Sequence, residues 1–224
     1  MAEELNNFNI MMDPHVTELE RDVIKEILNI GLARAADSFA AIAKDRVLLK
    51  VPDIQLIDVK DLLLLVTKYE QTHVIIQSDI KGDFNGATLM LFSEDQVGHL
   101  SEVCLNMIEV QRGELTAMQE SLLLEISNII TGAMVTQLAN ILKANIYGSP
   151  PRAPKNYIAD SLKDILVQHP LFQPLVFTVI TQFTHNSKIV ELPLLLFFDT
   201  STLLKVVEII RSFNLGDSNF LVTE

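Results

Sequence analysis

The stretch 17–42, TELERDVIKEILNIGLARAADSFAAI, spaces its apolar residues three and four apart, the period of a helix with one buried face. With Asp22 as origin and roughly 100° per residue, Ile24, Ile27 and Ile30 span about 80° to 200°. Glu26 then lies at about 40° and Asn29 at about −20°, so both share a stripe about 60° wide with Asp22, facing away from the apolar side. The stretch 116–141, TAMQESLLLEISNIITGAMVTQLANI, repeats the arrangement: Ser121, Glu125 and Asn128 on one stripe, Leu122, Leu123, Ile126 and Ile129 opposite. Both open on a capping box, Thr17 with Glu20 and Thr116 with Gln119, so two helices are predicted to start at matching places.

An offset of 99 residues superposes the two stretches, setting Thr17 on Thr116, Glu26 on Glu125, Asn29 on Asn128, Ala40 on Ala139 and Ile42 on Ile141. Each helix is followed by strand-like residues (46–51 and 143–148), then a short helical stretch (59–66 and 157–166). Each half then reads as a hairpin, 73–82 with 85–92 about a turn at Asp83–Gly86, and 174–183 with 189–198. An amphipathic segment closes each half, 93–108 and 199–213. The offset grows to about 106 at the second hairpin, where Phe92 matches Phe198, which places a loop insertion around 168–174. The predicted fold is α+β: a two-layer domain with a six-stranded, mainly antiparallel sheet, two long motif-bearing helices and a pseudo-two-fold internal repeat. The predicted organisation is an N-terminal extension (1–16), one domain (17–213) made of repeats 17–108 and 116–213, and a C-terminal tail (214–224).

Composition narrows the function classes. Of 224 residues, 49% are hydrophobic and 21% charged, which is globular. The net charge of −12 argues against nucleic acid or an anionic membrane as partner. Cys104 stands alone, so no intrachain disulfide can form, and its surroundings, EVCLNM, predict a buried, inert thiol. The acidic start MAEELNNFNIMMDPH lacks the basic and apolar regions of a signal peptide. The longest charge-free window, 165–187, carries Pro170, Pro174, His169, His185 and Asn186, unlike a membrane span. A cytoplasmic protein is expected. His15, His73, His99, His169 and His185 are scattered, with no HExxH or Cys/His cluster, and there is no GxSxG, P-loop or GxGxxG motif. No metal of the protein's own is expected.

A polar stripe on an amphipathic helix is usually its solvated face. Asn costs about half a kcal/mol relative to Ala within a helix, so its presence twice, in the same phase beside the same acid, asks for a reason. Duplication alone could copy neutral residues. A third coincidence separates the readings. Pro52 follows Asn29 by 23 positions and Pro151 follows Asn128 by 23, completing [Asp/Ser]-x3-Glu-x2-Asn-x22-Pro in both halves. With this pattern, and with EILNIGLARAA and NIITGAMVTQLANIL, the chain resembles the CheC-type phosphatases of bacterial and archaeal chemotaxis over roughly 17–213.

The resemblance implies hydrolysis of the aspartyl phosphate on a CheY-like receiver. Asn29 and Asn128 would hold a water in line with phosphorus, a task suited to a carboxamide that accepts and donates without being a strong base. Glu26 and Glu125 would pair with the receiver's Lys, and Asp22 and Ser121 would support orientation or partner contact. Pro52 and Pro151 would shape the exit of the first strand of each half. Mg2+ would come with the receiver. The family also implies CheD as a possible partner, through the short helix near 157–166. The alternative is a non-catalytic CheY- or CheD-binding adaptor of the flagellar-switch type. The sequence departs from the family at IGLARAA, where related members often carry more glycine. Gly31 and Gly132 do not coincide under the 99-residue offset; each could admit a partner's close approach or serve packing.

Overall fold

The computed structural model describes residues 17–44, 46–50, 54–56, 73–107, 114–168, 172–183 and 189–214. In chain order the elements are α1 (Glu18–Ala43), β1 (Val47–Lys50), β2 (Ile54–Leu56), β3 (His73–Gly82), β4 (Gly86–Ser93) and α2 (Glu94–Leu105). The second half supplies α3 (Ala117–Leu142), β5 (Ile146–Gly148), α4 (Ile158–Gln168), β6 (Phe172–Phe183), β7 (Ile189–Asp199) and α5 (Thr200–Asn214). The expected short helix at 59–66, Pro52 and the segment 1–16 lie outside the described residues, as does most of the expected tail.

Both 26-residue helices start as the capping boxes predict. The Thr17 hydroxyl accepts from the Glu20 N–H, and the Glu20 carboxylate accepts from the Thr17 N–H at 2.7 Å. At α3 the Gln119 amide oxygen accepts from the Thr116 N–H at 2.9 Å, and the Thr116 hydroxyl accepts from the Gln119 N–H. Each helix stops where a lysine, Lys44 or Lys143, turns left-handed at φ 50° or 48°. Both helices therefore carry matched stops as well as matched starts.

The sheet runs β1-β6-β7-β4-β3-β5 with every pair antiparallel. Among the described residues it has seven strands where six are expected from the sequence. The extra strand is β2, which pairs with Leu175–Phe177 of β6, the same strand that β1 occupies nearer its end. Three residues are too few to display an alternation in the sequence.

The main core lies between the sheet and α1, α2, α3 and α5, with Leu28, Leu32, Phe39, Leu123, Ile126 and Phe92 buried in it. The two-layer expectation needs correcting. Ile75, Leu89, Leu91, Leu195 and Phe197 point to the other face, where they pack on Ile158, Leu162 and Ile165 of α4. That helix adds a third layer, and β4 is consequently buried on both faces along almost all its length.

Gly31 sets how closely α1 and α3 approach. A Cβ there would lie 3.0 Å from the Ala133 carbonyl oxygen and 3.0 Å from the Gln137 Cβ. At the start of α1, Arg211 of α5 donates to the buried Glu20 carboxylate, so the last helix pins the first turn of the first. At the start of α3 a neutral pair does the same work, Gln119 donating to the Ser101 hydroxyl of α2 at 3.2 Å.

Candidate functional site

On α3, Leu122, Leu123, Ile126 and Ile130 are buried while Ser121, Glu125 and Asn128 are exposed. On α1, Ile24, Ile27 and Leu28 are buried, Asp22 and Glu26 exposed, and Asn29 half-buried. Each acid–amide couple thus sits on the solvent side of its helix, separated by one helical step of three residues, about 4.5 Å along the axis. Asp22 is engaged within its own helix: Lys25 Nζ donates to Asp22 Oδ1 at 2.9 Å, a surface pair of small energetic weight.

Beside Asn128 the surface dips into a recess of ≈150 Å³ whose lining includes Thr131, Gly132, Thr136, Tyr147 and Ser149. Gly132 makes room for it, since a Cβ built there meets nothing within 4 Å. The opposite wall is β5 and the residues that follow it. Ser149 is fixed to β3 twice, its N–H donating to the Asp79 carbonyl at 2.7 Å and its hydroxyl accepting from the Asp79 N–H at 2.9 Å. On the α3 side, the Thr131 and Thr88 hydroxyls lie 3.3 Å apart in the core.

Pro151 lies just beyond this wall, half-buried, in a segment that continues along the edge of β3. The N–H groups of Ser149, Arg152 and Lys155 donate to Asp79, Gln77 and Ile75 in turn. Prolines occupy 150, 151 and 154, positions whose missing N–H the edge does not use. Arg152 also pairs with the Asp79 carboxylate at 2.5 Å, holding the segment down. Its first-half counterpart, Pro52, is outside the described residues.

The recess, Tyr147 and Ser149 are not among the candidate residues read from the sequence. The signal present there was the string NIYGSPPR, whose pairing with β3 brings residues some seventy positions apart together. No group of three or more His, Cys, Asp or Glu side chains suited to a metal occurs among the described residues. Helix α3 is long and apolar enough by composition to cross a membrane, yet 56% of its most apolar window is buried against the rest of the protein.

The model of the CheC-like family matches residues 118–153, which takes in most of α3, β5 and Pro151, with Ser121, Glu125 and Asn128 inside it. Over this stretch the chain is similar to the CheC-like family. Among curated proteins it is similar to a CheC1 protein of Halobacterium salinarum, 24% identical over 129 residues, or 58% of this chain and 65% of the relative. It is also similar to the CheY-P phosphatase CheC of Bacillus subtilis, 23% identical over 138 residues, or 61% of this chain and 66% of the relative. The matched stretch therefore spans just under two thirds of either relative. Among solved structures, Thermotoga maritima FliY shares the fold, with a TM-score of 0.70, 19% identity and coverage of 88% of this chain and 98% of that one. A chain of the FliG–FliM complex from H. pylori also shares it, with a TM-score of 0.62 and 8% identity over 86% of this chain and all of that one.

Proposed function

We propose that the protein is a phosphatase that hydrolyses the aspartyl phosphate of a CheY-like receiver in the cytoplasm. The observation that carries this reading is the repeated, outward-facing acid–amide couple. Glu26 with Asn29 and Glu125 with Asn128 stand at the same places on two 26-residue helices with the same caps. The Bacillus subtilis relative is named a CheY-P phosphatase, and its match supports the substrate class.

An acyl phosphate needs little covalent help, so catalysis reduces to holding a water opposite the leaving carboxylate. Asn29 and Asn128 each offer an amide oxygen to accept a proton of that water and an N–H2 to donate elsewhere. Glu26 and Glu125 pair with the Lys beside the receiver's phosphorylated Asp; aimed at the phosphoryl group itself, a carboxylate would be repelled. Ser121 and Asp22, one turn earlier, support the contact. The Mg2+ that neutralises phosphoryl charge belongs to the receiver. The strand order supports a pseudo-two-fold repeat, because β1, β3 and β4 mirror β5, β6 and β7 about the β7–β4 pair.

The test is phosphate release from a phosphorylated CheY-like receiver. Asn29→Ala and Asn128→Ala should each retain part of the activity, and the double variant should lose it while remaining folded. Undiminished hydrolysis by a folded double variant overturns the assignment.

A second reading, a non-catalytic adaptor of the flagellar-switch type, is favoured by the likeness to the FliM middle domain from H. pylori. Receiver binding without phosphate release would establish it. Binding to CheD through α4 is compatible with either reading.

A further inference from the structure

Large apolar side chains left in water usually need no explanation when they are scattered singly. Here four of them come as two pairs at the spacing of the acid–amide couples. Leu19 and Met118 are each 60% exposed, and Leu48 and Tyr147 are 53% and 57% exposed. Met118 lies on the exposed stripe of α3 about 15 Å from Asn128, while Tyr147 lines the recess on the other side of that amide. The stripe of α3 therefore runs from an apolar contact, through Glu125 and Asn128, to a recess with an aromatic wall.

The surroundings favour one kind of occupant. α3 carries Glu120 and Glu125 and no Lys or Arg anywhere in its 26 residues, so the face suits a partner that presents a cation. A volume of ≈150 Å³ is of the order that takes one six-membered ring, and Asn128, Thr136 and Ser149 in the lining suit a ring that carries a polar group. Its open side is bounded by Gly132, which leaves the space unfilled.

We propose that this recess is the docking pocket of the second site, seating one ring-sized side chain of the receiver surface that flanks the phosphorylated aspartate. Tyr147 forms its wall and Met118 makes the apolar contact at the far end of the face. This rests on the phosphatase reading above and adds to it a determinant of partner choice. The first helix has Ala33 and Asp37 where α3 has Gly132 and Thr136, so these two lining positions differ between the copies.

The experiment uses the full chain carrying Asn29→Ala, so that turnover reports the second couple. Into it are placed Gly132→Leu, which fills the recess without meeting a neighbour at Cβ, and Tyr147→Ala. Val167→Ala, an exposed residue of α4 on the opposite layer, is the control. Circular dichroism confirms folding of each. KM and kcat are measured on the phosphorylated receiver, and Kd on the receiver carrying beryllofluoride in place of phosphate.

The expected result is a rise in KM and Kd of about tenfold for Gly132→Leu and several-fold for Tyr147→Ala, with kcat nearly unchanged and the control silent. Unchanged KM and Kd in both folded variants, with hydrolysis intact, overturns the pocket alone. A wild-type chain that neither binds nor hydrolyses the phosphorylated receiver overturns the phosphatase reading and the pocket with it. Should the Asn29→Ala background turn over nothing, the Kd comparison decides the pocket by itself.

Discussion

Arg211 Nε donates to Glu20 Oε1 at 2.5 Å, joining the last turn of the C-terminal helix to the first turn of α1, 191 residues earlier. Glu20 already accepts from the Thr17 N–H, so one carboxylate serves both as cap and as tether. The hydrogen bond from Arg211, then that from Thr17, holds its carboxyl below the ordinary value of 4.5, against the opposing cost of burial. A depressed carboxylate stabilises the fold above its unfolded value and loses that contribution as pH falls from 4.5 through the lower folded value. Arg211→Ala should therefore lower stability by about 1 kcal/mol at neutral pH. The deficit should shrink as pH falls through that acidic window, which urea midpoints at several pH values would measure. A deficit independent of pH would mean that Arg211 acts through packing rather than charge.

Gly31 and Gly132 are the same letter one helix apart, with opposite surroundings. A Cβ at Gly31 meets a backbone carbonyl and a side-chain Cβ at 3.0 Å, so Gly31→Ala must push α1 and α3 apart, at a cost of about 1–3 kcal/mol. Gly132 has open space, so Gly132→Ala should gain about 0.5–1 kcal/mol from helix propensity alone. Thermal midpoints of the two variants should move in opposite directions. Movement in the same direction would show that the helix crossing is not where these contacts put it.

The contrast marks where sequence reasoning ran out. Both long helices were legible because period, Thr cap and capping-box partner agree at each start, and burial then followed the apolar phase of each. The outward placement of Glu26, Glu125 and Asn128 follows from the same periodicity, and Asn29 sits only half-buried. What a residue meets across the fold has no such local signature. Gly31 could not be told from Gly132, and the Arg211 tether and the Ser149 wall join residues 191 and 70 positions apart. The third layer did leave a trace: ATLMLF in β4 is an unbroken run, apart from Thr88, where a strand with one wet face would alternate.

Cys104 is buried in α2, and burial pushes its thiol up to about 12. At pH 8 the native thiol is then almost wholly protonated. Alkylation by iodoacetamide should be far slower than for the unfolded chain, by about a hundredfold or more, and urea should restore the ordinary rate. Mass spectrometry of timed quenches measures this directly. Rapid labelling of the native protein would mean that α2 opens readily from the core.

Acid and amide should fail in different ways if each does the work assigned to it. A Glu that pairs with a receiver cation contributes to the bound ground state and the transition state alike, so Glu125→Gln in the Asn29→Ala background should raise KM and leave kcat close to its starting value. Glu125 is solvent-exposed in the free protein, where salt screens its attraction for the receiver cation, so the rise in KM should shrink as salt is added to both proteins. An amide that places water acts on the reacting centre, so Asn128→Ala in the same background should lower kcat, by about a hundredfold or more, with KM little changed. Asn128→Asp sharpens the test. It keeps the shape and an accepting oxygen but loses the N–H2 and adds a negative charge facing the phosphoryl group, so it should be at least as inactive as Asn128→Ala. If Glu125→Gln lowers kcat and Asn128→Ala raises KM instead, the carboxylate stands at the phosphate and the amide at the interface, and the two assignments must be exchanged.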